Sequence, residues 1–311
     1  MHSSDVSVRK IGERGVKPHM PVIDFHCHAG LGDGLTDPAD TRADLSTYLR
    51  RATAAGIHRT VVFPTLNNEY ASAMARVAKI VEAHPKKLIG FAMVSTKSDK
   101  GRIRPMLERA INKYGFRGVK VHGHQGMPTR ELCDAARDLG IPVLVDVFDR
   151  PWQMELCARE YPDVHFVVAH LGSFKDDWRL QQVIVDLMVR YPNVYADTSG
   201  VRRLESLEQA LRRVGPRRLL FGSDGPWFHP GLEPYKIRLL GLSPKDEALV
   251  CGGNALRILR MEHAAGSLQV AARKDSRSRS GQEVVPWPRR HLAPSRETHL
   301  PTTPGGRSRI F

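Results

Sequence analysis

The sequence has few cysteines and no long apolar run. Its 311 residues include four cysteines, none of them in a Cys-x-x-Cys pair: Cys27, Cys133, Cys157 and Cys251. This spacing favours a reduced, intracellular protein over a disulfide-stabilised one. No segment reaches about eighteen uninterrupted apolar residues, which excludes a transmembrane helix. Residues 1–17 lack the apolar core of a signal peptide, so we expect a cytoplasmic protein.

The sequence also has fewer acidic than basic residues. It contains 33 Asp and Glu and 47 Lys and Arg, which gives a net charge of +14. Much of this excess lies at the ends of the chain: residues 264–311 carry +6 and residues 1–20 carry +2. The central 243 residues hold only +6, without a basic stripe interleaved with aromatics. A nucleic-acid-binding protein concentrates its basic side chains on one face. We therefore expect a small-molecule substrate and neither a nucleic-acid nor a membrane partner; homo-oligomerisation is left open.

The composition divides the chain into three segments. Residues 264–311 are rich in Arg, Ser, Pro and Gly and show no apolar periodicity, which predicts a disordered and dispensable tail. Residues 1–19 are polar and aperiodic, and we interpret them as a disordered or appended N-terminus. Residues 20–263 are long enough to bury the core of one large domain.

Within the central segment, β-branched runs alternate with helical patterns. The eight runs are Val22–His28, Thr60–Pro64, Leu88–Val94, Gly118–His122, Pro142–Phe148, Val164–His170, Asn193–Ser199 and Arg218–Asp224. The helical patterns between them include Ala43–Ala55, Glu69–Ala83, Ile103–Tyr114, Arg130–Leu139 and Leu204–Val214. This alternation predicts an α/β fold with parallel strands, specifically a single (β/α)₈ TIM-type barrel. A doubly wound open sheet is the alternative, but its glycine-rich phosphate-binding turn is missing after the first strand.

The first predicted strand ends on His26-Cys27-His28. Residues two apart in a strand point to the same side, so both imidazoles share one face of an otherwise apolar strand. Burying two imidazoles is costly unless something binds their lone pairs. Neutral imidazole is the commonest protein ligand of zinc-like metals. The pair therefore indicates a metal site.

Other predicted strands also end on groups that can ligate or titrate. In a (β/α)₈ barrel the carboxyl ends of the strands meet at one mouth, where active sites form. The residues brought to that mouth would be His26, His28, Lys120, His122, His124, Asp146, His170, Asp197, Ser199 and Asp224. Packing alone does not account for this convergence, which predicts an active site.

Six motifs together resemble the amidohydrolase superfamily, in particular the amidohydrolase-related branch with aminocarboxymuconate-semialdehyde and resorcylate decarboxylases and dicarboxylate lactonases. They span about residues 21–261 and read VIDFHCH, GFRGVKVH, HFVVAHLGS, NVYADTSG, RLLFGSDGPW and GGNALRIL. The resemblance implies that His26 and His28 bind a divalent metal. It implies Asp224 as a ligand that also transfers a proton, and His170 as a ligand or catalytic group.

The chain departs from this family at the fifth strand. Family members usually place a metal-binding histidine there, whereas this chain reads Pro142-Val-Leu-Val-Asp146. Asp146 can itself ligate zinc or manganese while adding a negative charge. Alternatively His122 supplies the missing nitrogen, or the site has lost its metal. We place Asp146 among the metal ligands.

Lys120 and His122 lie on the same face of the fourth predicted strand, and we assign both to substrate binding. The alternative for Lys120 is an ion pair inside the barrel with Asp24 or Asp146. Some binuclear relatives instead use a carboxylated lysine from this strand. The remaining strand-end groups, Asp197 and Ser199, are interpreted as scaffolding, and His124 as a loop residue.

These observations predict a metal-dependent hydrolase that cleaves an amide, ester or lactone of a small molecule with metal-activated water. One divalent metal is expected, zinc in the first place and manganese as the alternative. Asp224 would be the general base and acid, assisted by His170. A second hypothesis is the non-oxidative decarboxylation of an aromatic or unsaturated acid, with His170 delivering a proton to carbon. A third is a degenerate barrel that binds without a metal.

Overall fold

The computed structural model describes residues 20–32 and 42–261. The predictions for residues 1–19 and 264–311 lie outside the described residues. The strands are β1 (Ile23–Leu31), β2 (Arg42–Ala43), β3 (Arg59–Pro64), β4 (Leu88–Gly90), β5 (Ala92–Met93), β6 (Val119–His122), β7 (Val143–Asp146), β8 (Phe166–Val168), β9 (Val194–Asp197) and β10 (Leu219–Leu220). The α-helices are α1 (Leu45–Ala54), α2 (Tyr70–Ala83), α3 (Ile103–Tyr114), α4 (Arg130–Leu139), α5 (Met154–Glu160), α6 (Trp178–Arg190), α7 (Leu204–Val214), α8 (Leu232–Leu239), α9 (Pro244–Ala248) and α10 (Asn254–Ile258).

The strands form two parallel groups that join into a barrel. One group has the order β1-β3-β4, with the short β2 antiparallel on the edge of β1, and the other has the order β5-β6-β7-β8-β9-β10. The amide of Phe91, between β4 and β5, donates to the Val62 carbonyl at 2.8 Å and joins the groups on one side. On the other side Phe25 of β1 donates to the Phe221 carbonyl at 2.9 Å. The predicted (β/α)₈ barrel is confirmed.

Helices such as α3, α4 and α7 cover the outside of the barrel because each presents one apolar stripe to the strands. Side chains of Asp44, Thr129 and Asp177 accept hydrogen bonds from backbone amides at the starts of α1, α4 and α6. Such caps satisfy donors that a helix leaves free at its N-terminus. No helix within the described ranges is long and apolar enough to cross a membrane.

A buried carboxylate fastens the first strand to the segment that follows the last. Asp24 of β1 accepts hydrogen bonds from the Ser223 amide at 2.9 Å, the His26 amide at 3.1 Å and the Tyr48 hydroxyl at 2.5 Å. Burial raises the pKa of Asp24 to about 6, while these hydrogen bonds oppose the increase. The network fixes the position of His26 relative to Asp224, one residue beyond Ser223.

Four predicted strands end two or more residues earlier than expected, among them β8 and β10. The runs Val164–His170 and Arg218–Asp224 are regular strand only to Val168 and Leu220. The backbone then turns, with φ of 57° at His170 and 55° at Asp224. This left-handed region costs a residue with a side chain about 1–2 kcal/mol. Strained backbone of this kind concentrates at functional sites, and both turns lie at the mouth of the barrel.

Candidate active site and metal centre

Three buried side chains converge at the mouth. His26 comes from β1, His170 from the turn after β8 and Asp224 from the segment after β10. Each offers one potential ligand atom, and the three atoms lie within 4.8 Å of one another. Two imidazole nitrogens and a carboxylate oxygen are a donor set that zinc and manganese accept.

His28 belongs to the same cluster through Asp224. The Asp224 Oδ1 atom lies 3.4 Å from the Nε2 atoms of both His26 and His28. The His28 ring packs against Phe63 and Trp227, with centroid distances of 4.7 Å and 6.0 Å. Its Nδ1 atom is buried and has no hydrogen-bond partner among the described residues, an arrangement that buried polar atoms rarely tolerate without a ligand.

A second layer of contacts orients the two inner imidazoles. The His26 Nδ1 atom lies 2.8 Å from Asp197 Oδ2, and the His170 Nδ1 atom lies 2.8 Å from the Ser199 carbonyl oxygen. Both partners are acceptors, so each Nδ1 carries a proton and each Nε2 can offer a lone pair, which in His26 faces Lys120 Nζ at 3.5 Å. Metal-binding histidines are usually held in this way. The residues therefore fit a metal.

The same contacts set the charges of the cluster. Burial opposes ionisation of Asp197, but His26 and His170 outweigh it and lower the pKa of Asp197 to about 2. The pKa of Asp224 is also lowered, because His28, His26 and His170 together exceed the opposing effect of burial. Burial, with the positive charge of Lys120, lowers the pKa of His26 to about 4. At neutral pH the cluster thus holds two carboxylates and a neutral His26.

The depressed pKa of His26 predicts a pH-dependent stability of the metal-free protein. Below pH 6.5 the unfolded chain takes up a proton that folded His26 resists until about pH 4. The stabilisation that the protein gains from a neutral His26 is therefore fully present above pH 6.5, and it is lost as the pH falls from 6.5 toward 4. We expect about 3 kcal/mol less unfolding free energy at pH 4 than at pH 7 from this residue. Urea unfolding of the His26→Asn variant should show a correspondingly shallower decline, and exposed His84→Asn serves as control. Equal declines in wild type and His26→Asn would contradict the assignment.

Lys120 of β6 lies inside the barrel beside the cluster. Its Nζ atom is 3.5 Å from His26 Nε2 and 5.2 Å from the centroid of the Phe63 ring. Among the described residues it forms no ion pair with Asp24 or Asp146 within 4.0 Å. Burial lowers the pKa of Lys120, although the surrounding carboxylates oppose this. Lys120 thus brings a basic side chain into contact with His26, one of the candidate metal ligands.

Asp146 of β7 sits between two imidazoles at the edge of the cluster. Its Oδ2 atom lies 3.2 Å from His122 Nε2 and 3.6 Å from His170 Nε2, and its Oδ1 accepts from the Phe148 amide at 2.8 Å. Burial works against ionisation, yet His122, His170 and Lys120 hold the pKa of Asp146 well below its usual range. Asp146 is therefore an anion in contact with His170.

The contacts of His122 bear on its predicted roles. Its Nδ1 atom accepts a hydrogen bond from the His124 amide at 3.2 Å. The proton of the neutral ring therefore lies on Nε2 and points toward Asp146. No lone pair of His122 is then free for a metal, and the interpretation of this residue as substrate-binding stays a prediction.

The structure places His26, His28, His170 and Asp224 in one cluster, with Lys120 and Asp146 beside them, and their roles as ligands or catalytic groups stay predictions. Asp197 and Ser199, interpreted as scaffolding, turn out to hold the imidazoles directly. The aromatic side chains around the imidazoles were not assigned from the sequence: Phe63 and Trp227 pack against His28, and Phe174 packs against His170. They lie on separate segments, and although Trp227 ends the motif RLLFGSDGPW, nothing in that motif indicates its contact with His28.

Comparison with known proteins identifies solved structures of the same fold and a family model that matches the chain. Among solved structures, a 2,6-dihydroxybenzoate decarboxylase from Rhizobium is similar over 78% of this chain and 99% of its own, with 15% identity and a TM-score of 0.60. A dihydroxybenzoic acid decarboxylase from Polaromonas with bound manganese covers 78% and 97%, with 16% identity and a TM-score of 0.58. A protein from Pseudomonas putida that bears the name of a 2-pyrone-4,6-dicarboxylic acid hydrolase covers 78% and 99%, with 18% identity and a TM-score of 0.60.

At these identities the structural likeness establishes the fold alone, and the names span both decarboxylation and hydrolysis. No curated protein sequence matches the chain. The family model described as amidohydrolase, however, matches residues 23–261, which include every strand and helix described above. This protein belongs to the amidohydrolase family.

Proposed function

We propose that this protein is a metal-dependent hydrolase that cleaves an amide, ester or lactone of a small molecule. The observation that carries the proposal is the convergence of His26, His170 and Asp224 within 4.8 Å, with the far nitrogen of each imidazole already held by an acceptor. Membership in the amidohydrolase family supports it. The structurally similar proteins include one named as a dicarboxylic acid hydrolase and two named as amidohydrolases.

One divalent metal would be held by His26, His28 and Asp224, with His170 or Asp146 as a further ligand. Their nitrogen and oxygen donors suit zinc first, and manganese is the alternative. When bound, such a metal supplies a Lewis acid for a carbonyl oxygen and acidity for a water molecule.

Asp224 is proposed as the general base and acid. Its pKa is held low by His28, His26 and His170 although burial opposes this, so it is ionised at neutral pH. Its Oδ1 atom accepts the proton of the attacking water and later passes it to the leaving nitrogen or oxygen. General acid–base catalysis of this kind contributes about 10²–10⁴-fold to a rate.

The charges around the site favour a neutral reacting carbonyl. Three carboxylates lie at the centre, on Asp146, Asp197 and Asp224, and the pKa of each is lowered. Lys120 is the one ammonium that the described residues place among them, and burial lowers its pKa. A substrate carboxylate beside these anions would meet repulsion, whereas an ester, lactone or amide carbonyl would not.

Decarboxylation of an aromatic or unsaturated acid is the second candidate. The contact that favours it is between His170 Nε2 and Asp146 Oδ2, at 3.6 Å. A proton on this nitrogen would be stabilised by the carboxylate and could be delivered to carbon. The third candidate, a barrel that binds without metal, predicts that the purified protein holds no metal even after supplementation.

A substrate panel tests the choice of reaction. Lactones, esters and N-acyl compounds are compared with aromatic and unsaturated carboxylic acids, read by acid release and by CO₂ release respectively. We expect turnover of the neutral carbonyl compounds. If only the acids were turned over, and if this turnover were lost in the Asp224→Asn and His170→Ala variants, the protein would be a decarboxylase and the hydrolase proposal would be wrong.

Substitution of Asp146 by histidine should change metal preference. The variant loses one negative charge and gains a nitrogen donor, and imidazole suits zinc better than it suits manganese. We expect the ratio of zinc to manganese affinity to rise by about tenfold, as for other changes next to a metal. Asp149→His, at a largely exposed side chain three residues away, is the control. Unchanged metal content, affinity and activity in Asp146→His would place Asp146 outside the centre.

A further inference from the structure

Helix α8 buries Ile237 but turns three other large apolar side chains to solvent. A surface helix normally turns its apolar stripe to the core, yet Leu232, Tyr235 and Leu239 are 62%, 52% and 52% exposed. Glu233 is buried instead, and Lys236 is largely enclosed. Exposing three large apolar side chains while enclosing two charged ones is unfavourable in itself. The contacts of the enclosed pair, together with the burial of Ile237, therefore hold the helix in this orientation.

Lys236 reaches from α8 to the turn that follows β9. Its Nζ atom donates hydrogen bonds to the Thr198 and Val201 carbonyl oxygens, both at 2.7 Å. A Glu233 carboxylate oxygen lies 2.7 Å from the same atom, within ion-pair distance but outside hydrogen-bond geometry. Hydrogen bonds from a charged donor are stronger than neutral ones. The ammonium thus holds both ends of the turn 198–201.

The turn held by Lys236 carries the contacts that orient the metal-site imidazoles. Between its ends, the Ser199 carbonyl accepts from His170 Nδ1 at 2.8 Å. The Ser199 hydroxyl lies 2.9 Å from His170 Nδ1 and 3.2 Å from His26 Nδ1. A shift of this turn would therefore move both rings.

We propose that Lys236 is a positioning residue for the metal centre, acting through the turn 198–201 on His170 and His26. This inference rests on the proposed metal-dependent function. Arg202 also ties this loop, to Asp176 at 2.6 Å, but its side chain is 64% exposed. Exposed ion pairs contribute little, so of these two cationic side chains the enclosed ammonium is the one that holds the turn, beside hydrogen bonds such as that of the Thr198 amide to the Leu220 carbonyl at 3.0 Å.

Two variants separate the carbonyl contacts from the ion pair. Glu233→Gln removes the carboxylate but leaves the two hydrogen bonds of Lys236 to backbone carbonyls. Lys236→Met combined with Glu233→Gln removes those hydrogen bonds without leaving a buried unpaired charge. Lys113→Met makes the same lysine change at an exposed position of α3 and is the control.

Zinc affinity, measured by competition with a chelator, is the first readout. We expect the double variant to bind zinc about tenfold more weakly, the lower end of the range for groups that orient metal ligands. Glu233→Gln and Lys113→Met should bind zinc as the wild type does. Wild-type zinc affinity in a folded double variant would overturn the proposal, as would an equal loss in Glu233→Gln.

Solvent exchange of the imidazole Nδ1 protons, followed by NMR in the metal-free protein, is the second readout. The Nδ1 proton of His170 should exchange faster in the double variant than in Glu233→Gln, because the Ser199 carbonyl no longer holds it in place. This measurement distinguishes two failures. A wild type that binds no zinc refutes the proposed function, whereas unchanged exchange in the double variant refutes the role of Lys236.

Discussion

The Asp224→Asn variant is expected to lose turnover by about 10²–10⁴-fold in kcat, the contribution of a general base. Asparagine keeps the shape of the side chain but cannot accept the proton of the attacking water. The ionised state of Asp224 depends on its contacts with His28 and His26, each at 3.4 Å. The measurement is kcat at saturating substrate and saturating metal, so that a weaker metal affinity does not contribute.

The control for this variant is Asp163→Asn, the same change at an exposed position, which should leave kcat unchanged. Circular dichroism of both variants checks that the barrel is folded. A kcat for Asp224→Asn within threefold of the wild type would remove Asp224 from the proton-transfer step.

Replacing His26 and His28 together by alanine should empty the metal site. The unmodified protein is expected to contain about one tightly held divalent metal per chain, since two imidazoles and a carboxylate converge on one point. The double variant should contain none, and its activity should vanish with the metal. Elemental analysis of proteins purified in parallel provides the measurement.

His84→Ala, at an exposed histidine after α2, is the matched control and should retain its metal. Two results would contradict the prediction that His26 and His28 bind a metal. One is a wild type without metal even after supplementation with zinc and manganese. The other is a His26/His28 double variant with undiminished metal content.

The helices and the order of strands could be predicted because their signals are local. The predicted helices Ile103–Tyr114, Arg130–Leu139 and Leu204–Val214 have the bounds found in α3, α4 and α7. An apolar stripe with a period of 3.6 residues and a glycine after the last turn are sufficient for such assignments. The ends of β8 and β10 were predicted too late, because nothing local signals a left-handed residue such as His170 or Asp224.

The candidate site was predictable only in its inner layer. Histidine pairs and strand-end aspartates stand out in a sequence, so His26, His28, His170 and Asp224 could be assigned to one mouth. Lys236 could not be assigned to it, since it is one of many lysines in the chain and lies on a short helix without a motif. Its role depends on backbone carbonyls of a distant turn, and carbonyls carry no sequence signal.

The Asp24 network has a consequence for how the protein is made. It joins β1, the first to be synthesised of the strands that the structure describes, to Ser223, which lies 199 residues after Asp24. His26 therefore leaves the ribosome long before Asp224 can meet it, and a nascent chain has half a metal site for most of its synthesis. The proposed metal site would therefore be complete only when the ring of strands closes. A chain that stops short of Ser223 would carry both histidines of the first strand and still lack a centre.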